Sequence, residues 1–276
     1  MFEGLFDKKE LPCQRGVKGY RVKTIKSGEI LECEIYPMWK RSYIRRSKLA
    51  KSRKAQENLN AKNRRKKIVR LINTNFCKED IWLTVTYDSC HNPKDMDEAQ
   101  KNIRNYLRKI KRRDKDIKYI YVTEGKEKNK RFHHHVILST KLTRDEIEDL
   151  WTGGARKEAH RLQPDEFYLT GLGMYMTKDI EKGACWGKSK NLAQPRQSVA
   201  DRKITRRKAQ RMAENENYGI CLLEKEYKGY KNLKMEWFAS DIVSGVYIRA
   251  VMRKIEKGTI PQSRHKPCQL PLHKGA

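Results

Sequence analysis

The sequence predicts an α+β fold: an antiparallel sheet with helices on one side, ferredoxin-like in its order of elements, with basic N- and C-terminal extensions. Three observations lead there. Ile81–Tyr87 (IWLTVTY), Lys118–Glu124 (KYIYVTE) and Phe132–Ser139 (FHHHVILS) are β-branched and aromatic runs of strand length. Between the first two, Met96, Ala99, Ile103, Tyr106, Leu107 and Ile110 repeat at helical spacing. Between the last two lies only the polar stretch Lys126–Lys130, short enough for a hairpin turn. Strand, helix, strand, turn, strand and a further short helix is the grammar of an antiparallel sheet with helices packed on it.

The elements follow in order. Tyr20–Ile35 alternates and reads as a hairpin turning at Ser27-Gly28. Lys40–Arg70 holds fourteen Lys or Arg and one acid, Glu57, without Pro or Gly. It reads as a basic helix or arm with Leu49, Leu59, Ile68, Val69 and Leu71 as sparse apolar points. Asn92-Pro93 is read as the cap and first-turn proline of the central helix. Asp95, Asp97 and Glu98 at its start and Lys109, Lys111, Arg112 and Arg113 at its end complement the helix dipole. Thr143–Trp151 is a short helix with Thr143 and Glu146 spaced as a capping box. Leu172–Lys182 reads as a helix opening after Gly171 and Gly173, and Gln194–Arg211 as a second basic block, a helix that contacts DNA or is simply solvated. Tyr218–Leu223, Lys231–Phe238 and Ser244–Met252 are further strands or a final helix, and the proline-bearing tail from Ile260 is unpacked. The division expected is residues 1–74 as a basic extension, 75–190 as the core and 191–276 as a second basic extension with a loose tail.

Composition narrows the partners. The 276 residues carry 63 Lys and Arg against 34 Asp and Glu, a net charge of +29. Neutralising phosphates releases condensed counterions, so such a charge points to nucleic acid. The 13 Tyr, 6 Phe and 5 Trp supply core anchors and argue against a wholly disordered polycation. No apolar run approaches the ~20 residues needed to span a bilayer, and Met1–Glu10 shows no signal-peptide pattern, so the expected location is cytoplasmic. Seven cysteines at irregular spacing, with no CxxC, predict reduced thiols; a meeting of Cys77, Cys90 and His91 around a metal is the weaker reading.

The chemistry concentrates around one strand. In His133-His134-His135 the first and third side chains share a face, while His134, Val136 and Leu138 share the other. Two imidazoles so placed suit one divalent metal. Glu124, ending the preceding strand, brings a hard oxygen ligand beside them, with Glu127 and Asp88 as competing acids. Oxygen with two nitrogens and open positions suits Mg²⁺ or Mn²⁺ holding a phosphodiester. Tyr175 and Lys178 stand at i and i+3; a tyrosine is a competent nucleophile on phosphorus when a cation holds the charge.

Together IWLTVTY, HHHVIL and YMTK resemble, in order and spacing, the three motifs of the HUH rolling-circle replication initiators of plasmids, phages and integrative elements. Flanking text, Asn75-Phe76 leading to Asp80 and KSKNLAQP at Lys188–Pro195, resembles the Gram-positive plasmid and phage type. The resemblance implies an RRM-like HUH palm, His133, His135 and Glu124 as metal ligands, Tyr175 as nucleophile and Lys178 as its partner. Asp179 stands where a second tyrosine would adjoin, and Tyr168 is separated by the two glycines, so the chain is similar to the one-tyrosine class. The implied activity is nicking of single-stranded or hairpin origin DNA, leaving a 5′-phosphotyrosine and a 3′-hydroxyl. A plasmid relaxase or single-strand transposase would share this chemistry, and a non-catalytic nucleic-acid-binding protein would lack it. Gly183–Ser189 (GACWGKS) is one residue short of a P-loop between its glycines, so unwinding falls to a host helicase and extension to a host polymerase. Lys40, Arg41, Arg45, Arg46, Arg64, Arg65, Lys66, Lys67, Arg202, Arg206, Arg207 and Arg211 are the expected DNA contacts.

Overall fold

Alternating apolar and polar residues pair Val17–Ser27 (β1) with Ile30–Trp39 (β2) through a two-residue turn, at which Gly28 takes φ 58°, a region that costs glycine nothing. A computed structural model describes residues 14–39, 53–125, 131–154, 157–178, 185–239 and 244–255. After β2 come α1 (Arg53–Asn75), β3 (Ile81–Thr86), α2 (Met96–Arg113), β4 (Lys118–Glu124) and β5 (His133–Ser139). They are followed by α3 (Arg144–Asp149), β6 (Lys157–Arg161), α4 (Thr170–Met176), β7 (Cys185–Lys188) and β8 (Arg196–Ile204). The chain then forms α5 (Arg206–Glu214), α6 (Glu216–Glu226), β9 (Tyr230–Ala239) and β10 (Val246–Lys254). The fold is α+β, built on two antiparallel sheets.

Two units result. One comprises residues 51–195; the other joins residues 1–50 to 196–276. The observed boundaries therefore differ from the three-part division expected. The basic helix falls in the same unit as the histidine strand, whereas the hairpin falls with the C-terminal third.

In the discontinuous unit the strand order is β8-β1-β2-β10-β9. One face packs Tyr20, Val22, Leu31, Ile35, Ile248 and Met252 under Ala209 and Met212 of α5 and Leu223 of α6. The block at Gln194–Arg211 is thus half strand, β8, pairing with β1, and half helix, α5. β8 is an edge strand, and its exposed charges are what an edge carries to discourage further pairing. Tyr218–Leu223 lies within α6, while the two later segments are strands.

In the contiguous unit the order is β6-β3-β5-β4-β7, all antiparallel. Strands β4 and β5 keep the expected bounds almost unchanged. The central helix starts three residues later than expected: Asp95, not Asn92, is its N-cap and accepts from the Glu98 N–H. The capping box of Thr143 and Glu146 forms as expected. Helices cover both faces of this sheet, not one side. Ile103, Tyr106, Leu107 and Ile110 of α2 and Ile147 of α3 pack on Leu83, Val136 and Leu138. On the opposite face, Ile68, Leu71 and Ile72 of α1 and Met176 of α4 pack on Ile120, Val122 and Ile137. Of the apolar points of the basic run, Leu59 is exposed and Leu49 lies outside the described residues, whereas Ile68 and Leu71 join Ile72 in the last turns of α1. Each of those three fully buried aliphatic side chains contributes ~1.5–3 kcal/mol relative to exposure, enough to seat that half of the helix.

Candidate metal centre and nucleophile helix

The register of three strands assembles the site. Antiparallel pairing sets Glu124 of β4 opposite His133 of β5, and Thr84 of β3 opposite His135. Period-two alternation then puts Trp82 and Thr84 on the face that carries His133 and His135. Ligand atoms of Glu124, His133 and His135 all lie within 4.8 Å of one another, with His133 Nε2 at 3.3 Å from Glu124 Oε2.

The surroundings of each ligand leave one atom for a cation. His133 Nδ1 lies 3.3 Å from the Arg131 carbonyl, and its Nε2 faces the Glu124 carboxylate. Thr84 Oγ1 engages His135 Nδ1 at 3.2 Å, which leaves Nε2 as that ring's remaining ligand atom. Such partners fix ring orientation in metal sites. Glu124 Oε1 is buried and has no hydrogen-bond partner among the described residues, an arrangement costly for a carboxylate unless a cation completes it. The donor set, one carboxylate and two imidazoles with open positions, fits a divalent metal.

Electrostatics agree with that fit. Burial pushes the Glu124 carboxyl up, but the His133 hydrogen bond and the charges of His135, His133 and Lys178 outweigh it, so the pKa lies below the usual value. Burial, with His133 next and Lys178 adding, pushes His135 down to about 4 against the opposing pull of Glu124. Both groups are therefore in their ligating protonation states near neutrality.

His134 does something else. It is fully buried, with Nδ1 at 2.9 Å from Thr123 Oγ1 and Nε2 at 2.8 Å from the Tyr87 hydroxyl. Gln100 of α2 continues the network, donating to Thr123 Oγ1 and accepting from the Tyr121 hydroxyl. Burial pushes His134 down to about 3, with its two histidine neighbours adding to the effect.

Tyr175, half exposed at 50%, projects from α4 beside the triad. Its ring meets His135 edge-on at 5.5 Å and Trp82 at 6.2 Å, and Trp82 stacks on His135 at 5.0 Å. Helix α4 is shorter than expected, with Thr177 as its C-cap, so Lys178 lies just beyond its end. The lysine still reaches back, its Nζ 4.5 Å from the Tyr175 ring centroid.

Helix α1 braces this segment along its length. Asn73 donates to Thr170 Oγ1 at 2.9 Å, and Arg65 donates to the carbonyls of Thr177 and Lys178 at 3.2 and 3.3 Å. Between them, a Cβ on Gly173 would stand 3.0 Å from Val69 Cγ2 and 3.3 Å from the Val69 Cα, so the glycine permits the close helix approach. Arg65 is thus seated against the protein backbone, whereas Arg64 and Lys67 point to solvent and Lys66 is half-buried. Of the other expected DNA contacts, Arg206 and Arg207 are exposed on α5, and Arg211 stacks over Tyr218 at 4.2 Å. Lys40, Arg41, Arg45 and Arg46, and the side chain of Arg202, lie outside the described residues, as does Glu127.

The competing acid Asp88 is engaged elsewhere, accepting from His91 Nδ1 at 2.8 Å and from the Cys90 and His91 N–H groups. Cys77 and Cys90 are free thiols, and among the described residues the metal-compatible group is the triad. The flanking motifs meet: Asn75 Nδ2 donates to the Ala193 carbonyl at 2.9 Å, and the Ala193 N–H donates back to Asn75 Oδ1 at 2.8 Å. Trp82 and Thr84 were not among the expected site residues, and Arg65, one of the expected DNA contacts, bonds the backbone at the end of the Tyr175 helix. The first two are visible only once β3 is paired in register with β5, and the role of Arg65 only once α1 is known to be seated.

Comparison with known proteins adds a family match and a distant structural likeness. A family model described as replication-associated protein ORF2 matches residues 80–184, the stretch that contains the triad and Tyr175. A search of curated proteins gives no match. Among solved structures, the crystal structure of the hypothetical protein ORF119 from Sulfolobus islandicus rod-shaped virus 1 is similar, at 17% identity and a TM-score of 0.31. The likeness covers 41% of this chain and 90% of that one.

Proposed function

We propose that this protein is a replication initiator that nicks single-stranded or hairpin origin DNA through Tyr175. The observation that carries the reading is the placement of Tyr175 at ring contact with His135, itself one of three ligands gathered within 4.8 Å. The match to replication-associated proteins over residues 80–184 supports the same reading.

Glu124, His133 and His135 would hold Mg²⁺ or Mn²⁺, whose chemistry when bound is Lewis-acid polarisation of the scissile phosphate. The chain's own groups do the rest. Trp82 and Tyr175 offer aromatic faces on which an unpaired base can stack. The Tyr175 hydroxyl attacks phosphorus: the Oη–P bond forms, the P–O3′ bond breaks, and the phenolic proton is balanced by the proton gained at the 3′-oxygen. The product is a 5′-phosphotyrosine diester and a free 3′-hydroxyl, and the bond energy conserved in the diester lets religation proceed without ATP. Lys178, whose Nζ is 4.5 Å from the Tyr175 ring centroid, would help hold the phosphate's charge. The exposed cations of α1 and α5, Arg64, Lys67, Arg206 and Arg207, would track the DNA backbone. A host helicase would open the duplex and a host polymerase extend the 3′ end.

The test is a denaturing gel for covalent transfer, using labelled single-stranded DNA from the replicon's non-coding regions with Mn²⁺ or EDTA. A denaturation-resistant adduct that requires both metal and Tyr175 is expected. Metal-dependent cleavage that survives Tyr175→Phe would mean a water nucleophile. Tight binding with no adduct on any candidate origin would leave a nucleic-acid-binding module.

A further inference from the structure

The face of the contiguous sheet away from the triad carries a second charged feature. Helix α2 buries Ile103, Tyr106, Leu107 and Ile110 against that face. Its outward side presents Lys101, Arg104, Arg108 and Lys111, all exposed. At ~100° per residue these positions fall within an arc of about 80°, and at 1.5 Å per residue they form a row about 15 Å long. Exposed Lys115 extends the row past the helix end. Asn191 donates to the carbonyls of Asp116 and Ile117 at 3.1 Å, which brings exposed Lys190 to the same end.

The acids nearby are turned elsewhere or sit at the margins. Asp97 closes the row at its N-terminal end, and Asp116 is exposed beyond Lys115. Asp114 is buried, accepting from Thr140 Oγ1 and the Lys141 N–H. The acidic helix α3 flanks the other side of α2, where Lys109 reaches Thr152 and Arg113 feels Glu146. Arg108 is steadied by its bond to Asn105 Oδ1 at 2.9 Å.

The geometry points to the α2 row as a docking surface for the phosphate backbone of duplex DNA, separate from the single-strand site on the opposite face. This rests on the reading of the chain as a DNA-handling protein but not on its nuclease chemistry. The row is straight and rigid, and its ~15 Å spans the axial rise of roughly four to five phosphates of one strand, at ~3.4 Å of duplex axis per step. It has no aromatic residue among its cations, since Tyr106 is buried, so it lacks the stacking platform a single strand would use. The partner it fits is therefore the sequence-independent duplex that borders an origin, gripped while the single strand lies by the triad.

The test compares full-length protein with the variant K101Q/R104Q/R108Q/K111Q, glutamine being a good helix former that keeps α2 intact. Affinity is measured against salt for a plain duplex and for a short single strand. The expected result is a duplex salt slope shallower by about 3 to 4 units, near 0.9 for each phosphate no longer neutralised. Duplex affinity at low salt falls at least ~10-fold, while single-strand affinity and the adduct rate on a short single strand stay within ~2-fold. An unchanged duplex slope would overturn the inference, whether or not the variant loses affinity for anionic vesicles. Equal losses on duplex and single strand would overturn it as well, since that is the signature of net charge alone. If the slope changes and no adduct ever forms, the nuclease reading fails and the docking surface stands; an adduct with an unchanged slope means the reverse.

Discussion

Three identical side chains in a row on β5 meet two different fates. His133 and His135 face Glu124, Thr84 and Trp82, each with one ring nitrogen tied and one turned to a shared point. His134, one peptide away, has both nitrogens bonded and no surface exposed. The pleat alone makes the difference, because successive residues of a strand point to opposite faces. On one face Glu124 Oε1 is buried with no hydrogen-bond partner among the described residues; on the other both nitrogens of His134 are bonded. Residue identity therefore says little about role until the face is known.

Single substitutions separate those roles, in order of expected effect. His135→Ala should lower metal-dependent adduct formation by about 10³-fold, the loss of several kcal/mol of charge stabilisation, with little change in metal-free stability. Adduct yield and chemical denaturation in EDTA read the two quantities, and a large loss of metal-free stability would put His135 in the structural class with His134. His134→Ala should act the other way round. It leaves a cavity and strips the Tyr87 and Thr123 hydroxyls of their partner, a cost of about 2–4 kcal/mol in denaturant unfolding. Protein that remains folded should still bind metal by calorimetry. Arg65→Gln extends the contrast to α1, where one basic side chain is seated and its neighbours are not. Loosening the Thr177 and Lys178 carbonyls should slow adduct formation about 10-fold through mispositioning, with single-strand affinity unchanged. Arg64→Gln, on the solvent side, should weaken affinity and leave the rate at saturation alone. Equal behaviour of the two variants would return Arg65 to the phosphate contacts.

Much of the site was legible because its parts are local. Alternation across FHHHVILS, the helical period of α2 and the short gap between Glu124 and His133 need only neighbouring residues to interpret. What was not legible depended on distant partners. The half of α1 that packs is masked by the charge of the half that does not, and only Val122, Ile137 and Met176 reveal which is which. Strand β6, KEAHR, buries only Ala159, so its sequence carries no strand period; its pairing with β3 defines it. The basic block around Arg202 reads as one segment, yet Thr205 caps a helix in its middle, with its side chain accepting from the Lys208 N–H.

The discontinuous unit sets an order of events during synthesis. Strand β1 pairs with β8, and Arg21 holds Asp201 by two bonds of 2.6 and 2.7 Å across a separation of 180 residues. Strand β2 likewise waits for β10. As the chain leaves the ribosome, the hairpin therefore emerges with both its outer edges unpaired, while residues 51–195 have every strand of their own sheet within reach and can close before β8 exists. The unit that holds Glu124, His133 and His135 closes early, and a hairpin made before it is the last to find its neighbours. Pairings that span so much chain form slowly, and exposed strand edges are what chaperones bind and aggregates recruit. Ribosome stalling or truncation near Pro195 would accordingly release a chain with Glu124, His133 and His135 already gathered and an orphan hairpin ahead of them.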